Sequence, residues 1–236
     1  MNIKLEKLLL HCRQSLEVLD LSHQISYFHG QISAGKSSIV RLIDFCLGGD
    51  LERTKAISQE LISVQLFSKI RDYEVLFERD VKDTAYVQVT WKNLFNNSAT
   101  VLAPLKAGKN PIWESDVYNL SDLIFFLSGY QPIKVRKSKL NQETELVRLS
   151  FRDIMWYCYL EQDNLDSSFY NLMDPMRRLK SRDAMRFVTG YYTEKMNDLE
   201  IQFDELRTNR TVKIEAAQQI RTFLAEFGYS RVADVT

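Results

Sequence analysis

Residues Tyr27–Asp50 read YFHGQISAGKSSIVRLIDFCLGGD, and the spacing Gly30-x4-Gly35-Lys36-Ser37 inside them decides the fold. A glycine-rich turn at this spacing aims successive backbone N–H groups at the β- and γ-phosphates of a nucleotide. Gly30 and Gly35 permit the backbone angles and the close approach, and Gln31, Ile32, Ser33 and Ala34 supply the rest of the cradle. Lys36 adds a compact positive charge. The Ser37 hydroxyl can ligate Mg²⁺, and Ser38 follows it into a helix whose N-terminal dipole favours an anion.

The flanks match that reading. QISYFHG, residues 24–30, reads as an apolar strand ending in Gly30. Ile39, Val40, Leu42, Ile43 and Cys46 recur with a helical period, and Gly48-Gly49 stand where such a helix ends. The phosphate loop, residues 30–38, therefore lies at a strand–loop–helix junction. Upstream, IKLEKLLL and LEVLDLS read as two strands. Downstream, ELISVQLFSKI, DYEVLFERD and AYVQVTWKN alternate with period two and predict a half-exposed antiparallel β-subdomain over about 59–92. NNSAT and APLKAGKNP read as loops, and SDLIFFLSGY as a short helix capped by Ser121. SFRDIMWYCYLEQDN reads as an apolar helix or strand running into a polar loop, and from Asp174 the chain is mostly helical.

Composition narrows the class without choosing it. The 236 residues carry 31 Lys plus Arg and 31 Asp plus Glu, so only local clusters can point to a charged partner. Cys12, Cys46 and Cys158 are odd in number and widely spaced, as reduced thiols of a cytoplasmic protein would be. His11, His23 and His29 also lack a metal-binding spacing, and His11 and Cys12, adjacent on a strand, point to opposite faces. MNIKLEKLLLHCRQ is not a signal peptide, and no apolar run approaches the ~18 residues of a membrane helix. A cytoplasmic protein without a membrane partner is expected.

The last stretch has its own register. Met196, Leu199, Phe203, Leu206, Arg210, Lys213, Ala217, Ile220, Leu224 and Phe227 alternate in spacings of three and four, with polar residues only at Arg210 and Lys213. Either a long amphipathic helix on a globular core or an antiparallel coiled-coil arm carries such a pattern; the polar remaining faces favour the arm. Two basic clusters precede it: Lys134, Arg136, Lys137 and Lys139 in one loop, and Arg177, Arg178, Lys180, Arg182 and Arg186 on a helix. Such clusters neutralise DNA phosphates even in a chain of zero net charge, or they are solvated faces paired with the acidic EQDNLD and QETE segments.

A hydrolysing phosphate-loop enzyme also needs an apolar strand ending in Asp or Glu. Glu78 follows Val75-Leu76-Phe77 but falls on the polar face of its strand, and in DLIFFL the Asp comes first. LSGYQ, residues 127–131, is one residue from the LSGGQ signature of ABC-type ATPases, yet it closes a helix and reads as a C-terminal cap at Gly129.

The order of these features resembles the N-terminal half of an SMC/RecN-type ABC ATPase head. GKSSIVRLIDFCLGG is similar to the segment after that family's phosphate loop, and YLEQDNLDSSFYNLMDPMRRLKSRDAMRFVTGYY to its glutamine loop and following basic helix. The resemblance implies an α/β fold, the N-terminal lobe of a P-loop NTPase with an antiparallel β-subdomain, leading into a coiled-coil helix. The head would occupy 1–190, with the glutamine loop near 160–165, and the arm would begin at 191–236. ATP and Mg²⁺ would be the cofactors, with Gln162 as second Mg²⁺ ligand and Arg13 near the nucleotide. Ile32-Ser33-Ala34 depart from the usual Asn-Gly-Ser or Asn-Gly-Ala, a spelling closer to the SMC-like subunits of bacterial Lamassu-type anti-phage and anti-plasmid systems.

The resemblance further implies that the signature helix, the acidic strand with its catalytic Glu, and the switch His belong to a C-terminal half, so that this chain alone would be inactive and holds no catalytic residue. Expected partners are that C-terminal half, a second copy through heads and coiled coils, double-stranded DNA, and a nuclease effector and accessory subunit of a defence or repair complex. A self-contained P-loop kinase or GTPase with a helical tail is the alternative, as is a coiled-coil scaffold with a vestigial nucleotide site, against which intact Lys36 and Ser37 argue.

Overall fold

Period-two alternation builds the sheet on which the helix after the glycine-rich loop rests. The computed structural model describes residues 1–32, 34–136, 146–160, 175–191 and 194–226. Strands β1 (Ile3–Cys12), β2 (Leu16–Asp20), β3 (Leu61–Ile70), β4 (Tyr73–Asp80), β5 (Tyr86–Lys92) and β6 (Ser98–Pro104) form one six-stranded sheet in the order β2-β1-β3-β4-β5-β6. Every neighbouring pair is antiparallel. One face carries Leu8, Val64, Leu66, Val75, Phe77, Val87 and Val89, all buried.

Helix α1 (Lys36–Cys46) is set against that apolar face, and its Leu42, Phe45 and Cys46 join the same core. A fully buried side chain of Phe45's or Leu66's kind contributes about 1.5–3 kcal/mol, so packing holds α1 far more firmly than its short length could. The helix ends in a left-handed turn at Gly48, φ +94°, where the Gly48 N–H donates to the Phe45 carbonyl and the Gly49 N–H to that of Asp44.

The remaining elements are α2 (Lys55–Glu60), α3 (Leu120–Leu127), the hairpin β7 (Lys134–Arg136) with β8 (Leu146–Arg148), α4 (Phe151–Cys158), α5 (Pro175–Val188) and α6 (Glu194–Glu226). Helix α4 opens with a capping box, in which the Ser150 side chain accepts from the first turn and the Asp153 carboxylate accepts the Ser150 N–H at 2.8 Å. Helix α3 closes at Gly129, φ +72°, with the Gly129 and Tyr130 N–H groups on the Phe126 and Phe125 carbonyls, so LSGYQ is a helix C-terminus.

Four local expectations are corrected. Residues 24–30 are not a strand: Ile25 and Tyr27 are 84% and 85% exposed, and among the described residues no strand pairs with them. An extended run becomes a strand only where a neighbour accepts its N–H and C=O groups. NNSAT is not all loop, because Ser98, Ala99 and Thr100 enter β6 opposite Lys92, Trp91 and Thr90; the sheet thus runs to Pro104. The cap of α3 is Asn119, whose side chain accepts the Asp122 N–H at 2.9 Å, rather than Ser121. Lys134 and Arg136 lie on β7 rather than in a loop.

Candidate functional site

The loop closes on the N-terminus of α1 through Gly35, at φ +83° and ψ 7°. A Cβ there would meet nothing within 4 Å, so glycine is required by the backbone angle rather than by space. Gly35 supplies no side-chain cap, which leaves the first-turn N–H groups of α1 open to an anion. The Lys36 ammonium reaches back across the loop and donates to the carbonyls of Gly30 at 2.8 Å and Gln31 at 2.7 Å. Its charge therefore sits at the mouth of the loop. The Ala34 N–H donates to the Gln31 carbonyl at 3.2 Å and fixes the turn.

Ile32 and Ala34 are exposed, as is Ser37, whose hydroxyl is thereby free to meet a cation held by phosphates; Ser38 is half-buried. Among the described residues no group of three or more His, Cys, Asp or Glu is placed to hold a metal. Ser33 and Gln162 lie outside the described residues, as do Lys137 and Lys139. Arg13 is exposed in the turn after β1, its N–H donating to the Glu60 carbonyl at the end of α2 at 2.9 Å.

The far end of α1 is held by a side chain that sequence reading missed. Arg79 is 2% exposed on the apolar face of β4. Its guanidinium donates to the carbonyls of Phe45 at 2.5 Å, Gly49 at 2.6 Å and Thr84 at 2.5 Å, and lies 4.0 Å over the Phe45 ring. Burial draws its pKa down, while the neighbouring Cys46, Asp50 and Asp44 act in the opposite direction. A cation at a helix C-terminus meets the negative end of the dipole, so Arg79 locks α1 to the sheet while the opposite end of α1 opens on the glycine loop. The signal was legible: Tyr73, Val75 and Phe77 set the inward parity of β4, and Arg79 continues it.

A second joint ties α1 to α4. Both terminal guanidinium nitrogens of Arg152, Nη1 and Nη2, meet the buried Asp44 carboxylate, Nη2 at 3.0 Å. A Cβ at Gly49 would overlap that carboxylate, and one at Gly48 would come within 3.8 Å of Arg152 Cδ.

The basic clusters divide. Lys134 is exposed on β7, and Arg136 lies opposite Leu146 in the same hairpin. On α5, Arg177 is 5.9 Å over the Trp156 ring and Lys180 pairs with Asp153 at 2.9 Å, whereas Arg178 and Arg182 face solvent. Arg186 lies 3.7 Å from Asp183. No described helix is long and apolar enough to cross a membrane.

Among known families, residues 2–226 match the model of AAA_23, described as an AAA domain. No curated protein matches the chain.

Proposed function

The chain belongs to the AAA_23 family, ATP-binding P-loop domains of the SMC/RecN type, and from that premise we propose that it is the N-terminal half of an SMC-like, DNA-associated ATPase head. One observation carries the nucleotide reading: an uncapped helix N-terminus entered through left-handed Gly35, with the Lys36 ammonium at the mouth of the loop. Gly30, Gln31, Ile32, Ser33, Ala34, Gly35, Lys36, Ser37 and Ser38 would cradle the phosphates. Ser37 and Gln162 would complete the Mg²⁺ sphere, and Arg13 would approach the nucleotide from the β1–β2 turn.

The exposed apolar run 24–30 supports completion by a C-terminal half. Gln24, Ser26 and Phe28 of the run line an open cavity of about 720 Å³ with Leu5, Leu21 and Ile43 and the charged Lys4, Lys69 and Arg71. Ile25 and Tyr27 alternate on one face of this run, as in a strand with one face covered by a neighbour. A half that pairs with this run would bring the signature and the hydrolytic Glu, so the chain alone would bind ATP weakly and not cleave it. Two completed heads would sandwich two nucleotides.

The stripe Met196, Leu199, Phe203, Leu206 and Ile220 on α6 is exposed, which supports the coiled-coil arm over the packed helix. Arg178, Arg182 and Lys134 are the exposed cations best placed to contact DNA phosphates. The loop spelling favours a defence complex with a nuclease effector.

The test is Mg-ATP titration with a fluorescent analogue. Lys36→Ala should weaken binding by about tenfold or more, the loss of one charged phosphate contact worth ~1.5–3 kcal/mol, with an unchanged melting temperature. Binding that survives this change refutes the reading.

A further inference from the structure

We propose that α4 is a charge-locked strut that carries the position of the phosphate-loop helix to α5. The inference rests on the nucleotide reading of residues 30–38 and concerns what their helix moves.

Two consecutive residues of α4 pair in opposite directions. Arg152 reaches α1, where its two nitrogens grip the buried Asp44 carboxylate. Asp153 reaches α5, where its buried carboxylate holds the Lys180 ammonium at 2.9 Å. Neither acid is loose. Asp44 is seated in the turn that ends α1, where its backbone carbonyl accepts the Gly49 N–H at 2.8 Å and its carboxylate fills the space a Gly49 side chain would need. Asp153 also accepts the Ser150 N–H in the capping box, so a pull on it is a pull on the start of α4. At the α5 joint the Tyr157 hydroxyl adds a 2.8 Å hydrogen bond to the Ser181 carbonyl.

A bidentate arginine–carboxylate pair fixes direction as well as distance. The first joint therefore transmits rotation of α1, whereas the single-point Lys180–Asp153 contact acts as a pivot steadied by Tyr157. Arg79 holds this same C-terminal turn of α1 to the sheet through the Phe45 and Gly49 carbonyls, so the turn is a fulcrum and Arg152 follows the tilt of the helix about it. Displacement of α1 by a nucleotide at its N-terminus reaches α4 through the Asp44–Arg152 pair. Lys180 is in this arrangement a positioning residue rather than a nucleic-acid contact.

Hydrogen-exchange mass spectrometry with and without millimolar Mg-ATP tests the strut. In the unaltered chain, nucleotide should slow exchange in 36–46, in 151–158 and in 175–188, the last by about threefold or more. Arg152→Gln should confine the protection to 36–46. Lys180→Gln should let it reach 151–158 but not 175–188, and Lys180→Arg should restore it. Nucleotide affinity should stay within about threefold throughout, because neither residue touches the loop; a purely structural role would leave the pattern of protection unchanged in any variant that folds. If Arg152→Gln does not fold, Lys180→Gln, at a half-exposed side chain, decides alone. Protection of 175–188 that persists in folded Lys180→Gln overturns the proposal. So does a wild-type response limited to 36–46. If 36–46 gains no protection, the nucleotide reading itself falls, and the strut with it.

Discussion

At the scale of single residues, position decides what a charge does. Lys36 is exposed enough to meet phosphates, while Arg79 is sealed in the core with three carbonyls as partners. Replacing Arg79 with Met removes the charge and takes its N–H groups from the Gly49 and Thr84 carbonyls, while the Phe45 carbonyl keeps the Gly48 N–H. Each unsatisfied buried acceptor costs about 1–3 kcal/mol, partly offset by the cation's own desolvation. Arg79→Met should lower unfolding stability by about 2–4 kcal/mol, read as a shift in urea midpoint at constant slope. Arg79→Lys, which keeps the charge but not the fork, should fall between the two. The thiol of Cys46 offers an independent probe of the same packing: burial raises its pKa and hides it. It should resist a disulfide reagent at pH 8 in the native chain and react only on unfolding; early reaction in Arg79→Met would show α1 leaving the sheet.

At the scale of elements, the sequence was legible wherever one face was apolar and the other polar. Strands β3, β4 and β5 follow their alternation to within a residue or two, as does α1 with its Gly48-Gly49 stop. Strand β6 escaped because its inward face is small and spare, Ala99, Val101 and Ala103, and a polar Asn-Asn turn precedes it. The start of α3 shifted because Asn119 competes with Ser121 for the cap, and the amide reaches the Asp122 N–H. The phosphate loop was legible because its chemistry fixes glycine spacing, whereas Asp44, Arg152 and Lys180 were not, since their partners lie on other elements. Helix α6 is the clearest case of a pattern awaiting a partner. Phe203 and Leu206 are 66% and 70% exposed on a 33-residue helix. If this stripe is a seam, Phe203→Asp with Leu206→Asp should abolish self-association in sedimentation while circular dichroism shows the helix kept. Arg210→Leu with Lys213→Leu should strengthen it, because two charges leave the seam.

At the scale of the whole molecule, the sheet and the loop disagree about completeness. The six-stranded sheet satisfies its own ladders and buries one face under α1. The segment that delivers the chain to Gly30 pairs with no strand among the described residues and packs only Phe28 on the core, leaving Ile25 and Tyr27 in solvent. A nucleotide cradle is only as rigid as the backbone entering it, and among the described residues no strand pairs with 24–30, so Gly30 is held chiefly by the Lys36 ammonium on its carbonyl. Pairing that run with strands from a C-terminal half would stiffen the entrance and bury both side chains. Supplying such a half in trans should therefore raise Mg-ATP affinity by about tenfold or more, a gain of ~1.4 kcal/mol that ordering one loop entrance readily covers. Ile25→Asp should cancel the gain without altering the melting temperature of the chain alone, because Ile25 is 84% exposed there. An affinity unmoved by the added half, or a gain indifferent to Ile25→Asp, would mean that the loop reaches its binding geometry by itself and that this run serves some other surface.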